Sequence, residues 1–295
     1  MEQYQTLLNG VKMPKIGFGT MHIHGQECSD LVAYALQEGY KAVDTATAYQ
    51  NEEEVGRGLH QSGLKREDFF VTGKIRNRYQ GYDHTLAEVE HILKRLDLDQ
   101  LDLMLVHWPG DNLYVPTWKA LVRLYNEGVL RSIGVSNFYP QHLEVAAQAA
   151  GVMPMVNQIE SHPFLYQDEP IEYCKKNNIF LIAWSPLMAG KEALTDPVIC
   201  SIAEAHNVTS AQVILRWHLQ NGFGAVPKSA NKERIRQNLD VFSYSLTEEE
   251  MARIQGLTVK HVRTGPDPLT YRFPTIEEML ASGDIPKKDS YGNYM

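Results

Sequence analysis

Cysteine is scarce in this sequence. Cys28, Cys174 and Cys200 are widely separated among 295 residues, and no short spacing between them resembles that of metal-binding pairs. A sparse, odd set of cysteines argues against a disulfide framework and is typical of proteins in a reducing compartment. We therefore expect free thiols and a fold that depends on its apolar core.

Long apolar runs are also absent. No stretch approaches the roughly 20 apolar residues needed to cross a bilayer. The opening residues, MEQYQTLLNG, lack the basic and then apolar segments of a signal peptide. The net charge of −8 disfavours non-specific binding to nucleic acid or to an anionic membrane surface. These absences predict a soluble cytoplasmic protein.

The sequence contains a repeated alternation of short apolar runs and longer amphipathic, helical stretches. The runs are nearly continuous in apolar or small residues, as expected for parallel strands covered on both faces. They cover residues 41–44, 69–74, 101–107, 131–135, 155–159, 180–184 and 224–227, with a weaker eighth at 241–244. Before them, Asn9-Gly10 within residues 5–13 predicts a β-hairpin. About eight alternations predict an α/β fold, a (β/α)8 TIM barrel with an N-terminal β-hairpin.

An open, doubly wound sheet is the alternative to a barrel. The first apolar run is not followed by a glycine-rich dinucleotide-binding loop, which disfavours this alternative. No stretch has the composition of a domain linker, so we predict a single barrel domain over residues 1–273. Residues 274–295, rich in polar residues, are predicted to be a C-terminal tail.

Polar side chains stand at almost every predicted strand end. In a barrel the carboxyl ends of the strands meet at one rim, where chemistry takes place. The residues at these ends are Asp44, Lys74, His107, Ser136, Asn137, Gln158, Trp184, Ser185, Lys228 and Ser229, and Tyr49 follows Asp44 by one short loop. The pattern predicts one active site at this rim.

Four of these residues form a chemical unit. A tyrosine has a pKa of about 10 and is a poor acid at neutral pH. The ammonium of Lys74 stabilises the Tyr49 phenolate, and the carboxylate of Asp44 holds the ammonium in place. His107 can donate a hydrogen bond to the carbonyl oxygen of a substrate bound beside Tyr49. Such a site polarises a carbonyl group, accepts hydride on its carbon and protonates its oxygen.

Each of the four residues alone has a more ordinary interpretation. A tyrosine in a loop usually packs, a lysine that ends a strand is usually solvated or paired, and a strand histidine usually belongs to the core. An aspartate after a strand commonly forms a turn or caps a helix. Only their joint placement at three strand ends favours catalysis.

The sequence resembles the aldo-keto reductase family from the hairpin to about Phe273. The matching segments are Val43-Asp44-Thr45-Ala46 with Tyr49, Asp102 to Pro109, Arg131 to Phe138, Asn157-Gln158-Ile159-Glu160, and Val226-Pro227-Lys228-Ser229 with Arg234 and Asn238. The resemblance implies the barrel fold, NADPH as cofactor, a small-molecule carbonyl substrate, a monomer, and catalysis by Asp44, Tyr49, Lys74 and His107.

The resemblance also implies a cofactor site. Ser136, Asn137 and Gln158 would bind the nicotinamide carboxamide, and Trp184 would stack on the ring. The further cofactor-binding candidates are Gly19, Thr20, Met21, Asp44, Ser185, Pro186, Leu187, Gln237 and Asn238. Lys228, Ser229 and Arg234 form a charge and hydrogen-bond cluster suited to the 2′-phosphate of NADPH. Without the resemblance, a solvated helix N-terminus with ordinary surface charges would be the favoured interpretation of the same residues.

The predicted substrate pocket is mixed in character. Its candidate residues are His22, Arg76 and Trp108, and Arg76 stands where relatives commonly have tryptophan shortly after the lysine. This composition permits aldehydes, oxo acids or esters, and sugar-derived ketones. Arg76 suits an anionic substrate, although a surface ion pair is the more ordinary interpretation.

Three other functions compete with carbonyl reduction. A barrel lyase or isomerase would use Lys74 as a Schiff-base amine, but this leaves Trp184 and the Lys228 cluster without a role. A non-catalytic barrel could bind NADPH as a sensor, although the complete set of four residues argues against it. A metal hydrolase is disfavoured because His22, His24, His107 and His162 lack a convincing set of partner ligands, and we expect no metal.

Overall fold

The strands form a hairpin and a closed parallel barrel. The computed structural model describes residues 2–110, 113–273 and 281–282. The hairpin consists of β1 (Tyr4–Thr6) and β2 (Lys12–Pro14), paired antiparallel with Tyr4 opposite Pro14. The barrel strands in these residues are β3 (Phe18–Gly19), β4 (Ala42–Asp44), β5 (Phe70–Ile75), β6 (Leu103–Val106), β7 (Ile133–Ser136), β8 (Val156–Glu160), β9 (Phe180–Trp184) and β10 (Gly224–Ala225).

Sequential strands are neighbours throughout the parallel sheet, from β3 to β10. The sheet closes on itself because Ile16 bridges Ala225 in parallel, and Gly19 N donates to Pro227 O at 3.0 Å. A side chain at Gly19 would place its Cβ 3.0 Å from Val226 O, which is tighter than most Cβ contacts, so this closure favours glycine. The predicted barrel with an N-terminal hairpin is confirmed.

Amphipathic helices cover the barrel. They are α1 (Gly25–Gln37), α2 (Glu52–Gln61), α3 (Tyr82–Leu96), α4 (Tyr114–Asn126), α5 (Pro140–Ala150), α6 (Asp168–Lys176), α7 (Pro197–His206), α8 (Ser210–Gln220), α9 (Lys232–Leu239) and α10 (Glu248–Gln255). Each strand from β3 to β8 is followed by one of them, and β9 is followed by two. A capping box begins α10: Thr247 Oγ1 accepts from Glu250 N, and the Glu250 carboxylate accepts from Thr247 N.

The strands carry the core. β6 is completely buried, and the residues of its neighbours β5 and β7 are buried too. This is expected of parallel strands covered on both faces. Within the part of the chain that the structure describes, no single helix is long and apolar enough to span a membrane. Among the described residues, α7 and α8 together have the length and apolar composition of a span, but they are bent by 92° at their junction.

One strand prediction is wrong. Residues 241–244 form no strand; instead Val241 is buried and its carbonyl oxygen accepts a hydrogen bond from Arg216 at 3.1 Å. The eighth barrel strand is β3, which lies before the first predicted one. The predicted tail, 274–295, lies outside the described residues except for Ala281 and Ser282.

Candidate active site

Asp44, Lys74 and Tyr49 meet at the carboxyl ends of β4 and β5. Lys74 is 1% exposed, and its Nζ contacts Asp44 Oδ1, Thr45 O at 3.2 Å and Tyr49 Oη at 3.3 Å. Asp44 and Lys74 come together because their strands pair side by side, with Asp44 opposite Thr72. Tyr49 ends a short 3-10 helix, Thr47–Tyr49, that follows β4. All three donor positions of the ammonium are therefore used.

Burial and charge act in opposite directions on this cluster. Burial lowers the pKa of Lys74, but the neighbouring Asp44 and Tyr49 raise it, and the net pKa is raised. Burial also raises the pKa of Tyr49; Lys74 lowers it by a smaller amount, and the net direction is upward. The Tyr49 phenol thus keeps its proton at neutral pH, and the adjacent ammonium of Lys74 is placed to stabilise negative charge on its oxygen.

His107 lies beside Tyr49, directly after β6. The two rings meet edge to face with centroids 6.1 Å apart, and His107 N donates to Ile75 O at 3.2 Å. Burial, Lys74 and Arg76 lower the pKa of His107 well below its ordinary value. A neutral imidazole can donate one hydrogen bond but is not an acid of useful strength at this pH. The structure therefore brings together the four residues predicted to be catalytic.

A chain of hydrogen bonds connects the predicted nicotinamide-binding residues to this cluster. Trp184 Nε1 donates to Asn137 Oδ1 at 2.8 Å, and Asn137 Nδ2 donates to Ser136 Oγ at 3.1 Å. Ser136 Oγ donates to Gln158 O at 2.8 Å, and Gln158 Nε2 donates to Asp44 Oδ2 at 2.8 Å. Asn137 has a left-handed backbone with φ 66°, a conformation that asparagine tolerates better than most residues. These residues form one polar wall next to Tyr49.

The loop after β3 forms another part of the rim. Thr20 is completely buried, and its N and Oγ1 both donate to Asp44 O, at 3.1 and 3.0 Å. Gly19 takes part in barrel closure through its hydrogen bond to Pro227 O, and its predicted contact with the cofactor stays a prediction. Met21 and His22 are exposed, so their predicted contacts with cofactor and substrate stay predictions.

The remaining predicted cofactor-binding residues follow β9 and β10. Ser185 and Leu187 are half-buried and Pro186 is buried. Ser229 and Asn238 are buried, whereas Lys228 and Arg234 are exposed and form no ion pair among the described residues. The amide of Gln237 donates to Glu233 at 3.3 Å. Lys228 and Arg234 are two exposed cations without an ion-pair partner among the described residues, and they lie near buried polar groups in the sequence. Such a surface suits an anion.

Comparisons with known proteins agree with this geometry. Residues 15–258 match the model of the Aldo/keto reductase family. This chain belongs to the aldo/keto reductase family. The predicted family is confirmed, and the protein is an oxidoreductase.

Individual relatives match this aldo/keto reductase over most of its length. The glyoxal reductase of Bacillus subtilis is 49% identical, with 89% of this chain and 95% of the relative covered. A variant of Gox0644 solved in complex with NADPH has a TM-score of 0.88 and 43% identity, with 92% and 100% of the two chains covered. An aldo-keto reductase of Bombyx mori, solved with NADP, has a TM-score of 0.84 and 30% identity, with 91% and 97% covered.

Sequence reasoning missed a carboxylate at the same rim. Glu160 ends β8 and is completely buried; it accepts hydrogen bonds from Thr264 N at 2.5 Å and Thr264 Oγ1 at 2.6 Å, and it lies 3.2 Å from His162 Nε2. Gly265 packs against Trp184 so closely that a Cβ there would lie 2.5 Å from the indole. The sequence signal that could have revealed this contact was the carboxylate of Glu160 in a buried strand, since a buried carboxylate requires hydrogen-bond partners.

The chain that follows Thr264 brings aromatic side chains to the site. Tyr271 and Phe273 contact Trp108, with ring centroids 5.3 and 6.1 Å from the indole. Trp108 also meets Trp184 edge to face at 6.3 Å. Glu160 therefore anchors the start of a segment whose aromatic rings enclose the predicted substrate side of the rim.

We expect Glu160→Gln to lower the free energy of unfolding by about 2 kcal/mol at pH 7, the scale of buried hydrogen bonds to a charged group. Burial raises the pKa of Glu160, but hydrogen bonds from His162 and Thr264 outweigh it, so its net pKa is lowered. A lowered pKa stabilises the fold above the unfolded value of about 4.3, and this contribution is lost as pH falls through the folded pKa. Urea unfolding at several pH values measures the difference.

Glu127→Gln is the matched control, because Glu127 is exposed and its carboxylate pairs at the surface with Arg123 at 2.8 Å. We expect this control to leave stability nearly unchanged. Equal effects of the two substitutions, or a Glu160→Gln effect that grows toward acid pH, would contradict the anchoring role of Glu160.

Proposed function

We propose that this protein reduces aldehydes or ketones to alcohols with NADPH, and that Tyr49 supplies the proton. The observation that carries the proposal is the placement of Tyr49 Oη 3.3 Å from Lys74 Nζ, with Asp44 on the far side of the ammonium and a neutral His107 beside the phenol. When bound, NADPH supplies a hydride to the carbonyl carbon.

The side chains account for the proton. His107 donates a hydrogen bond to the carbonyl oxygen and orients it toward Tyr49. As the C=O π bond breaks, the oxygen takes the proton of Tyr49, and the phenolate that remains is stabilised by Lys74. Asp44 keeps Lys74 protonated and in position. Solvent then returns a proton to Tyr49 before the next turnover.

Several features of the chain fit NADPH. The amide of Asn137 with Ser136 and Gln158 offers donors and acceptors suited to a carboxamide, and the half-buried indole of Trp184 offers a face for an aromatic ring. Lys228 and Arg234 are unpaired cations among the described residues and suit a phosphate. Relatives solved with NADPH and NADP support the same cofactor.

We expect Arg234→Ala to weaken NADPH binding by about 10- to 100-fold, because one charged hydrogen bond to phosphate is lost. NADH lacks the 2′-phosphate, so its affinity should change by less than about threefold. Fluorescence titration with both cofactors measures the two affinities.

Arg236→Ala on the same helix is the control, since Arg236 pairs with Glu38 at 3.3 Å. It should leave both affinities unchanged. Equal weakening of NADPH and NADH by Arg234→Ala would refute the phosphate assignment.

A Schiff-base role for Lys74 fits the structure poorly. Its pKa is raised and its ammonium is bound on three sides, so the neutral amine needed for attack on a carbonyl is disfavoured. The assay that tests the proposed function is the loss of NADPH absorbance with a panel of aldehydes that includes glyoxal. Turnover supports the proposal, whereas trapping of a carbonyl on Lys74 by borohydride without NADPH turnover would contradict it.

A further inference from the structure

Arg76 is a half-buried cation at the substrate side of the rim. It follows β5 directly, two residues after Lys74. Its neighbour Ile75 accepts a hydrogen bond from His107 N at 3.2 Å, so Arg76 and His107 stand at the ends of adjacent, paired strands. The location places a guanidinium next to the residues that hold the carbonyl oxygen.

The guanidinium of Arg76 forms no hydrogen bond or ion pair with any residue that the structure describes. Other partly buried arginines differ: Arg95 binds Glu52 and Glu88 at 2.6 and 2.5 Å, and Arg66 binds Asp102 at 2.6 Å. A charge that is partly removed from water without a partner is unfavourable. The N–H donors and the positive charge of Arg76 are therefore open to an anion.

The surroundings of Arg76 limit what this anion can be. Burial lowers the pKa of Arg76, electrostatic interactions with Tyr79 and Tyr271 raise it by less, and the net pKa is lowered. Its positive charge also lowers the pKa of His107. The aromatic rings of Tyr271 and Trp108 lie 5.3 Å apart and narrow this side of the rim. A small, planar anion suits such a site, and a carboxylate matches the guanidinium through two parallel hydrogen bonds.

We propose that Arg76 binds the carboxylate of the substrate, so that the preferred substrates are oxo acids rather than neutral carbonyl compounds. This inference rests on the proposed function. The carbonyl oxygen faces Tyr49 and His107, and the carboxylate faces Arg76. The reaction adds hydride to the carbonyl carbon and the Tyr49 proton to its oxygen, giving a hydroxy acid and oxidised cofactor, while the carboxylate is unchanged.

The test compares pyruvate with methyl pyruvate, which share a carbonyl group but differ in charge. For Arg76→Gln we expect kcat/KM for pyruvate to fall about 10- to 100-fold, mainly through KM, and kcat/KM for methyl pyruvate to change by less than about threefold. Arg76→Lys keeps the charge without the two-pronged geometry and should be intermediate. Arg123→Gln, which removes a surface arginine paired with Glu127, should change neither substrate.

Equal loss for both substrates in Arg76→Gln and in Arg76→Lys would overturn the inference and leave the proposed function intact. Retained turnover of methyl pyruvate shows that a variant is folded. If the wild-type protein reduces no carbonyl compound, the proposed function fails, and binding of oxamate, an unreactive oxo-acid analogue, still decides the role of Arg76. Oxamate binding weakened at least tenfold by Arg76→Gln supports that role, and unchanged binding overturns it.

Discussion

Replacing Tyr49 with phenylalanine is expected to lower kcat for a simple aldehyde by about 10²- to 10⁴-fold, the usual contribution of a positioned general acid. The substitution removes one oxygen and leaves the ring that packs edge to face with His107. NADPH affinity should stay within about threefold of wild type, because Tyr49 contributes no part of the predicted phosphate or carboxamide sites. Single-turnover rates and fluorescence titration separate the two effects.

Tyr125→Phe is the control for this substitution. The Tyr125 hydroxyl lies on α4 and accepts a hydrogen bond from Asn9 at 3.5 Å, beside the N-terminal hairpin. Its loss should leave kcat unchanged. A Tyr49→Phe enzyme that keeps rates within a few-fold of wild type would show that another group supplies the proton.

Lys74→Met should impair turnover to a similar degree and also destabilise the protein. Without the ammonium, Asp44 is a buried carboxylate without its main partner, and breaking a buried ion pair in this way costs about 3–5 kcal/mol. The Tyr49 phenolate also loses the charge that stabilises it, so proton donation becomes harder. Urea unfolding and single-turnover rates measure both consequences.

The combination of Asp44→Asn with Lys74→Met distinguishes catalysis from stability. Removing both charges should recover part of the lost free energy of unfolding, since no unpaired buried charge remains. Turnover should stay low. Recovery of turnover together with stability would mean that Lys74 acts on the fold alone and not on Tyr49.

The barrel was predictable from its apolar runs, but its closure was not. β3 has only Phe18 and Gly19, too short for any periodicity to reveal, and it is held by backbone hydrogen bonds to the segment after β10. Residues 241–244 contain valine, phenylalanine and tyrosine, which favour strands in general. Tertiary contacts decide otherwise, because α8 binds the carbonyl oxygens of Asp240 and Val241 through side chains.

The part of the candidate site that lies at the strand ends was predictable from the sequence. Asp44 ends β4, Lys74 is the last residue but one of β5, and His107 directly follows β6, so the topology alone brings them to one rim. The contact between Glu160 and Thr264 joins residues 104 positions apart, and Thr264 lies in irregular backbone that has no sequence periodicity. The hydrogen bond from Gln158 to Asp44 likewise depends on the closed barrel. Localisation in the cytoplasm and a monomeric state stay predictions.

A double-mutant cycle on single-turnover hydride transfer measures most directly whether the phenol and the ammonium act as one unit. We predict that the enzyme carrying both Tyr49→Phe and Lys74→Met is no slower than the worse of the two single variants, within about threefold, because Lys74 works through the Tyr49 proton. Losses that multiply in the double variant would contradict this account, since they would mean that the two side chains contribute independently.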